Sequence, residues 1–364
     1  MRDAVPVTAV RVKAYVVPTD TPESDGTLQW ESTTLVVVEA DAGGLTGMGY
    51  TYADTATATL VVDRLGPLVV GCDALQNTRA WQTMVRGIRN VGRPGIASMA
   101  IAGVDNALWD LKAKLLDVSV AALLGSVRDS VPAYGSGGFT SYDATMLRRQ
   151  LGGWVDAGLA RVKMKIGREP AADLARVGAA RDAIGPHAEL FVDANGAYSR
   201  KQALGFADAF RHFDVRWFEE PVSSDDLEGL RLVRDAGPAG MDVSAGEYGY
   251  DLPYFERMLA AGAVDVLQAD ATRCAGITGF MRTAALCEAR CVPLSSHCAP
   301  ALHVHVGCAC TPVRHVEYFH DHVRIETMLF DGAAVPRRGE LAPDLSRPGL
   351  GLALKVQDAR RYAV

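Results

Sequence analysis

Three acidic residues recur at nearly even spacing through the middle of the chain. Asp193, Glu219 and Glu247 each end a short run rich in β-branched or aromatic residues, and they follow one another at intervals of 26 and 28 residues. A strand, a loop, a helix and a return loop need about that many residues, so each interval predicts one βα unit. Carboxylates at one end of a parallel sheet are hard oxygen ligands, and they predict an Mg²⁺ site with positions open for substrate. A single strand-end acid more often caps a helix or pairs with a basic residue, but three at this spacing favour a metal site.

A pair of lysines lies one interval before the first acid. Lys163 and Lys165 are two residues apart, so their side chains point to the same side of a strand. Their apolar neighbours, Val162 and Met164, are expected to face surrounding helices, which leaves both lysines facing inward. Two adjacent ammonium groups disfavour each other's charge, and we expect this to lower the pKa of at least one toward the range useful for a general base.

Two later strand ends carry further groups that move protons. Asp270 and His297 continue the spacing after Glu247, and Glu317 ends the next strand. A carboxylate on a neighbouring strand holds an imidazole in one tautomer and raises its basicity, so Asp270 and His297 predict a second general base. Glu317 could share a proton with a substrate oxygen, or serve only as a salt-bridge acid. The remaining histidines of this half are interpreted as structural: His303, His305, His315, His320 and His322.

Strand-like and helix-like segments alternate from Val131 onward, and they are the elements that must position these groups. The expected strands lie near residues 131–134, 161–166, 189–193, 216–219, 242–246, 264–269, 292–296 and 315–319. The expected helices cover 144–157, 171–184, 199–213, 225–236, 251–261, 276–290 and 300–310. Eight strands in this alternation predict a closed (β/α)8 barrel, and the functional side chains would meet at its C-terminal face.

The segments before and after the barrel differ from it in pattern. Residues 7–17 and 33–39 are rich in β-branched residues and flank a polar stretch, Thr19 to Gln29, which predicts an antiparallel pair with a mobile loop. Another strand is expected over residues 46–52, and apolar residues from 96 to 115 follow the helical period. We therefore divide the chain into an α+β domain (1–130), a barrel domain (131–330) and a tail (331–364) that returns to the first domain.

Composition points to a small-molecule partner. The 364 residues are 49% hydrophobic, enough for a barrel of roughly 250 residues and a smaller domain. A net charge of −6 with mixed signs gives no basic face for nucleic acid and no polybasic membrane anchor. The N-terminus lacks a signal-peptide core and no apolar run approaches about 20 residues, so a cytoplasmic location and no membrane are expected. The seven cysteines are an odd number and are expected to be reduced.

Taken together, these motifs resemble the mandelate racemase subgroup of the enolase superfamily. The resemblance covers the whole chain and implies a modified (β/α)8 TIM-type barrel with an N-terminal capping domain that the C-terminal tail completes. The motifs that carry it are Lys163-x-Lys165, Asp193, Glu219-Glu220-Pro221, Glu247, Asp270 with His297, Glu317, Val91-Gly92-Arg93-Pro94-Gly95 and Ala107-Leu108-Trp109-Asp110-Leu111-Lys112.

The resemblance also implies a role for each site residue. One Mg²⁺ per subunit, with Mn²⁺ as the alternative, would be held by Asp193, Glu219 and Glu247 and would bind a substrate carboxylate. Lys165 and His297 would be bases on opposite faces of the substrate. The resemblance also implies that Asp270 supports the histidine and that Lys163 neighbours the substrate carboxylate. Glu317 would act as an electrophile or acid. A homo-oligomer is expected.

The predicted reaction begins with removal of the proton α to a carboxylate, giving an enediolate that the metal and nearby cations stabilise. Return of a proton gives a racemase or epimerase, loss of a β-hydroxyl gives a 2-keto-3-deoxy acid, and β-elimination in a lactone gives a cycloisomerase. We favour an acid-sugar dehydratase, partly from the resemblance. The polar stretch Thr19 to Gln29, expected to close over substrate, and the segment Tyr50-Thr51-Tyr52 also suit hydroxyl groups. Asn195, Tyr50 and Tyr52 are the candidate substrate contacts.

Two alternatives from other classes remain at this point. A Schiff-base aldolase would use a barrel lysine such as Lys165, but it needs no cluster of three acids. A non-catalytic barrel that binds sugar acids would need no pair of bases.

Overall fold

An antiparallel sheet and a group of helices form the first part of the chain in this computed structural model, which describes residues 3–364. The sheet has the order β1-β2-β3, with β1 at Ala9–Ser24, β2 at Gln29–Ala42 and β3 at Leu45–Tyr52. Its helices are α1 (Ala56–Leu60), a π-helical turn (Val61–Leu65), α2 (Gly66–Val69), α3 (Asn77–Gly87), α4 (Ile96–Leu115) and α5 (Val120–Leu124). Glycines at positions 47 and 49 of β3 lie against the backbone of α4, so the sheet and the long helix pack closely.

Eight parallel strands form a closed barrel, because β11 pairs with β4 as well as with β10. The strands are β4 (Val131–Gly137), β5 (Arg161–Lys165), β6 (Glu189–Asp193), β7 (Val215–Glu219), β8 (Asp242–Ala245), β9 (Val266–Ala269), β10 (Leu294–Ser296) and β11 (Val313–Phe319). The helices that follow them are α6 (Ala144–Asp156), α7 (Pro170–Ile184), α8 (Arg200–Phe210, extended by a 3₁₀ turn at Arg211–Phe213), α9 (Leu227–Ala236), α10 (Leu252–Ala260), α11 (Gly276–Ala289), α12 (Pro300–Ala309) and α13 (His320–Leu329). The predicted fold class is confirmed.

An aromatic layer fills the barrel just beneath the strand ends. Phe191 and Trp217 stack with ring centroids 5.2 Å apart, and Tyr134 packs against Phe191 at 5.4 Å. Each of the first two lies two residues before a strand-end acid, so the same alternation that points the ring inward points the acid inward. The acids therefore sit on a floor of buried aromatic rings.

The tail runs along both domains. Its elements are β12 (Phe330–Asp331), β13 (Glu340–Leu341), β14 (Ala353–Leu354), α14 (Val356–Ala359) and a 3₁₀ turn at Arg360–Tyr362. The strand-like segment 352–356 pairs with β12 rather than with the first sheet. The tail still reaches the first sheet, because Ala363 bridges Tyr15 and the Val364 N–H donates to the Ala14 carbonyl. The division into three segments at residues 130 and 330 remains a prediction.

One expectation about the first sheet is wrong. The polar stretch from Thr19 to Gln29 is not a loop throughout, because β1 continues to Ser24 after an irregularity and pairs Glu23 with Trp30. Only the turn at residues 25–28 lies outside the strands. Residues 19–30 thus form a hairpin, called here the cap hairpin.

None of the helices within residues 3–364 combines the length and the apolar character needed to cross a membrane. All seven cysteines are free thiols, as expected, and most of them are buried.

Asp110 connects α4, β3 and the tail. Its carboxylate accepts hydrogen bonds from the Met48 N–H (2.7 Å) and the Leu350 N–H (2.6 Å), and Lys114 Nζ lies 2.7 Å from it. Replacing Asp110 with Ala leaves both buried N–H groups without an acceptor. We expect the free energy of unfolding to fall by about 3 kcal/mol.

Denaturant unfolding of Asp110→Ala tests this expectation. Asp156→Ala, at an exposed acid ending α6, is the control and should stay within about 0.5 kcal/mol of the parent. Equal stability of the two variants would show that Asp110 does not fasten the tail.

Candidate active site

A cavity of about 470 Å³ opens between the C-terminal face of the barrel and the first domain. The barrel residues that line it are Lys165, Asn195, Glu247, Tyr248, Arg273, His297, Cys298, Glu317, Phe319 and His322. The first domain contributes Asp25, Leu28, Trp30, Ser32, Thr33, Thr34, Tyr52, Ala53 and Asp54. The strand ends that the sequence singled out therefore meet at one opening.

Asp193, Glu219 and Glu247, called here the acid cluster, lie together at the inner end of this cavity. One oxygen of each lies within 4.8 Å of the others, and all three side chains are buried. Asp193 and Glu219 are paired directly in the register of β6 and β7. Trp217 Nε1 and Gln268 Nε2 each donate to Glu219 Oε2 at 2.9 Å, which fixes that carboxylate.

The acid cluster fits a divalent cation. Glu247 Oε2 and Asn195 Oδ1 are both buried, and within residues 3–364 neither atom accepts a hydrogen bond. Buried carboxylate oxygens without donors are costly unless a cation binds them. Three carboxylates within this distance match the hard oxygen ligands that magnesium prefers.

The two lysines face inward as predicted, but their pKa prediction is wrong for this arrangement. Lys163 Nζ lies 2.6 Å from Glu219 Oε1 and 2.8 Å from Glu317 Oε1, and Lys165 Nζ contacts Asp193 Oδ2 at 2.5 Å. Burial disfavours both charges, yet the facing carboxylates outweigh it, so the pKa of each lysine is raised. The sequence showed the like charges but not how many acids oppose them. A metal ion on those acids would take up part of the charge that raises the lysine pKa values.

His297 is held in one orientation by Asp270. The Nδ1–H donates to Asp270 Oδ2 at 2.9 Å, while Nε2 lies 3.4 Å from Glu247 Oε2 and 3.3 Å from Cys298 Sγ. Asp270 in turn accepts the Thr272 backbone N–H and hydroxyl. Burial opposes its charge, but the hydrogen bond and charge of His297 hold the pKa of Asp270 below its usual range. The nitrogen available for proton transfer is therefore Nε2.

Glu317 is a charged acceptor in this arrangement. Its Oε2 accepts the Cys298 N–H at 2.7 Å, and Lys163 contacts its other oxygen. Burial works against ionisation, but the ammonium of Lys163 outweighs it and lowers the pKa of Glu317. Glu317 therefore holds Lys163 in place, and this favours positioning over proton donation.

The three candidate substrate contacts are placed differently. Asn195 and Tyr52 line the cavity, and the Tyr52 ring stacks on His322 with centroids 3.4 Å apart. Tyr50 does not line it, because it is fully buried one step deeper on β3 and its hydroxyl donates to Glu326 Oε1 at 2.6 Å. Alternation places both tyrosines on one face of the strand, but it does not tell how far along the strand the cavity begins. Tyr50 is therefore corrected to a structural residue.

Several cavity residues were missed by sequence reasoning. Arg273 Nη1 lies 3.3 Å from Glu247 Oε1, and its guanidinium lies over the Tyr248 ring at 5.5 Å. Cys298 follows His297 directly, and its thiol lies on the side of the imidazole that carries Nε2. Proximity in sequence to Asp270 and His297 was the only available signal, since neither residue ends a strand. Trp30 also lines the cavity, and it was missed because the segment before it was predicted to be a loop.

The cap hairpin rests directly on the barrel. A Cβ built on Gly26 would lie 2.3 Å from the Ala194 carbonyl oxygen and 2.8 Å from that of Ile166, so only glycine fits there. The Thr140 N–H donates to the Ser24 carbonyl at 2.8 Å, and Trp30 Nε1 donates to Glu23 Oε2 at 2.9 Å. The hairpin thus covers the cavity and touches the loop that joins Asp193 to Asn195.

Both parts of the chain match known protein families. Residues 7–125 match the model for the mandelate racemase / muconate lactonizing enzyme N-terminal domain, and residues 146–359 match the enolase C-terminal domain-like model. The chain is 34% identical to the 3,6-anhydro-alpha-L-galactonate cycloisomerase of Streptomyces coelicolor, over 98% of this chain and 99% of the relative.

Two solved structures are also similar. A mandelate racemase/muconate lactonizing enzyme-like protein from Rubrobacter xylanophilus superposes with a TM-score of 0.97 at 54% identity, over 99% of this chain and 100% of that one. The L-talarate dehydratase of Polaromonas sp. JS666, complexed with Mg and L-glucarate, superposes with a TM-score of 0.89 at 30% identity, over 99% and 97% of the two chains.

Removal of one carboxylate tests the metal site without relying on turnover. Asp193→Asn should weaken Mg²⁺ binding at least about tenfold, because affinity follows the charge count of the ligands. Calorimetric titration with Mg²⁺, and the rise in Tm that Mg²⁺ causes, are the measurements. Asp182→Asn, at an exposed acid on α7, is the matched control. Unchanged Mg²⁺ affinity in Asp193→Asn would remove this residue from the site.

Gly26→Ala tests the contact between the cap hairpin and the barrel. The added methyl group would force the hairpin away from Ala194 and Ile166, and we expect kcat/KM to fall by about tenfold or more, since small displacements near a reacting group are costly. The clash with two backbone oxygens should also lower the free energy of unfolding, so kcat/KM is measured where the variant is fully folded. Gly205→Ala on α8 adds a methyl group into open space and should leave kcat/KM unchanged. Full kcat/KM in Gly26→Ala would show that the contact is dispensable.

Proposed function

The chain belongs to the mandelate racemase/muconate lactonizing enzyme family of the enolase superfamily, and on that premise we propose that it dehydrates an acid sugar. The first step is abstraction of the proton α to the carboxylate, giving an enediolate. Loss of the β-hydroxyl as water then gives a 2-keto-3-deoxy acid. The observation that supports the proposal is that two candidate bases lie at different members of the acid cluster: Lys165 Nζ contacts Asp193, and His297 Nε2 lies 3.4 Å from Glu247 Oε2.

The relatives establish the broad class of the protein. The relatives are dehydratases and cycloisomerases, so the protein is an enzyme of lyase or isomerase type with a small-molecule acid as substrate. The protein is therefore not a non-catalytic barrel that only binds sugar acids. Magnesium is the cofactor.

We assign the magnesium to Asp193, Glu219 and Glu247. When bound, it would supply Lewis-acid stabilisation of the charge that develops on the substrate carboxylate. Lys163 lies behind this position with its ammonium fixed between Glu219 and Glu317, and it would add positive charge without moving. The aromatic floor beneath the acid cluster excludes water, which makes each of these interactions stronger.

His297 suits the second half of the reaction. Its Nδ1–H is committed to Asp270, so a proton carried on Nε2 can pass to a hydroxyl group that leaves the β-carbon. Asp270 stabilises the imidazolium in the meantime. A cation on the acid cluster would offset the charge that Asp193 places opposite Lys165, and the neutral amine of Lys165 would then take the α-proton.

Cycloisomerisation is the second candidate, and the similarity to the Streptomyces coelicolor enzyme favours it. If the leaving oxygen belongs to a ring of the substrate, the same two proton transfers open that ring and no water is lost. The product then has the mass of the substrate, whereas a dehydration product has lost one water molecule.

A panel of acid sugars and their anhydro or lactone forms, incubated with Mg²⁺, tests the proposed function. Formation of 2-keto acids with loss of water is the expected result. Proton NMR in D₂O detects α-proton exchange in compounds that give no net product. A panel in which every compound keeps its α-proton would contradict the proposal.

Variants of the two bases separate their roles. His297→Asn should lose net product by about a hundredfold or more while retaining α-proton exchange on the Lys165 side. Lys165→Ala should lose that exchange. Asp270→Asn should resemble His297→Asn more weakly, with a loss of about 10- to 100-fold, because the imidazole keeps its place but not its orienting partner. Exchange in both base variants at the parent rate would show that these residues are not the bases.

A further inference from the structure

The outer half of the cavity is built by the first domain, and the described residues that line it there carry no positive charge. Asp25 and Asp54 line it together with Ser32, Thr33 and Thr34 of β2, which carry hydroxyl groups. Among the described residues that line the cavity, the lysine and arginine side chains are Lys165 and Arg273. Both are engaged at the inner end, Lys165 by Asp193 and Arg273 by Glu247.

The two outer acids are free to act as hydrogen-bond acceptors. Asp25 Oδ1 accepts the N–H groups of Thr27 and Leu28, both at 2.7 Å, which closes the turn of the cap hairpin. Asp54 Oδ1 accepts the Ala56 N–H at 2.8 Å. Within residues 3–364 neither Oδ2 has a hydrogen-bond partner, and neither side chain has an ion-pair partner. The outer cavity is therefore an acceptor-rich, negatively charged environment.

The imidazole of His322, which also lines the cavity, adds no positive charge to this outer half. His322 Nδ1 accepts the Ala299 N–H, which leaves the single proton of a neutral ring on Nε2. Burial, assisted by the charge of His297, lowers the pKa of His322 to about 3. The ring is stacked on Tyr52 and offers one neutral donor at most.

From this distribution we propose that the substrate is a monocarboxylic sugar acid whose far end is neutral and rich in hydroxyl groups, and that Asp25 and Asp54 select against dicarboxylic sugar acids. This inference rests on the proposed function, because it takes the single carboxylate to lie at the acid cluster. A second carboxylate at the far end would meet two like charges and no cation. A hydroxyl group there donates to either carboxylate, and Ser32 and Thr34 add further polar contacts.

Matched pairs of sugar acids test the inference. Each pair is an aldonate and the aldarate of the same configuration, for example galactonate with galactarate and gluconate with glucarate. With the Mg²⁺-loaded enzyme, the best aldonate should exceed the best aldarate in α-proton exchange and in kcat/KM by about tenfold or more. Binding to Lys165→Ala with Mg²⁺, measured by calorimetry, should show the same order without turnover.

Charge reversal at Asp54 supplies the sharper test, since the residue is exposed and its replacement does not disturb the core. Asp54→Lys should lower the aldonate-to-aldarate ratio of kcat/KM by about tenfold, because a cation then faces the far carboxylate. Asp25→Asn should lower it less, and it keeps the Oδ1 acceptor of the turn. Asp63→Lys is the matched control: Asp63 is exposed on the first domain outside this cavity, so the ratio should not change.

The outcomes separate this inference from the proposed function. Aldarates preferred over aldonates, or a ratio that Asp54→Lys leaves as it was, would overturn the inference while the proposed function stands. Absence of exchange with every compound of both classes would overturn the proposed function, and the inference with it.

Discussion

The burial of three carboxylates within one cluster is the constraint on which the rest of the molecule depends. A buried carboxylate without compensation costs several kcal/mol, and like charges at this distance add to that cost. Two inward ammonium groups and the N–H donors of Trp217 and Gln268 offset part of this cost, but within residues 3–364 Glu247 Oε2 has no hydrogen-bond donor. The cofactor and the fold are therefore linked through the same charges. A change that removes an acid relieves repulsion and weakens magnesium binding at once.

The barrel and the first domain supply different parts of the site. The barrel supplies groups whose positions follow from strand register, such as Asp193 beside Glu219. The first domain supplies the outer wall through the cap hairpin, and the tail fastens that domain at Asp110 and at the first strand. Contacts far from the reacting atoms, including the close approach of Gly26 to the barrel, thereby determine the shape of the cavity.

Spacing predicted which inner side chains lie together, because alternation leaves little freedom in where they point. Once β5 to β11 are placed, a residue two positions after an inward aromatic ring must also point inward, as Glu219 does after Trp217. Alternation does not predict how deep a side chain lies below the cavity or how many charged groups surround it. The position of Tyr50 below the cavity and the raised pKa values of the lysines are of this kind. The cap hairpin was misread because Pro18 and the polar residues after it are typical of loops, whereas pairing with the segment around Trp30 is a tertiary effect.

The outcome of the proposed reaction must be decided outside the inner site. The acid cluster and its magnesium would fix the substrate carboxylate, and Lys165 and His297 would fix the two faces of the α-carbon. Rotation about the bond from the α-carbon to the β-carbon is the freedom that remains, and it determines whether a hydroxyl, a ring oxygen or a hydrogen faces His297 Nε2. That rotation is set by what holds the far end of the substrate. If the proposed function holds, dehydration, ring opening and racemisation share one set of inner residues, and the outer wall that includes Asp25 and Asp54 holds the far end of the substrate.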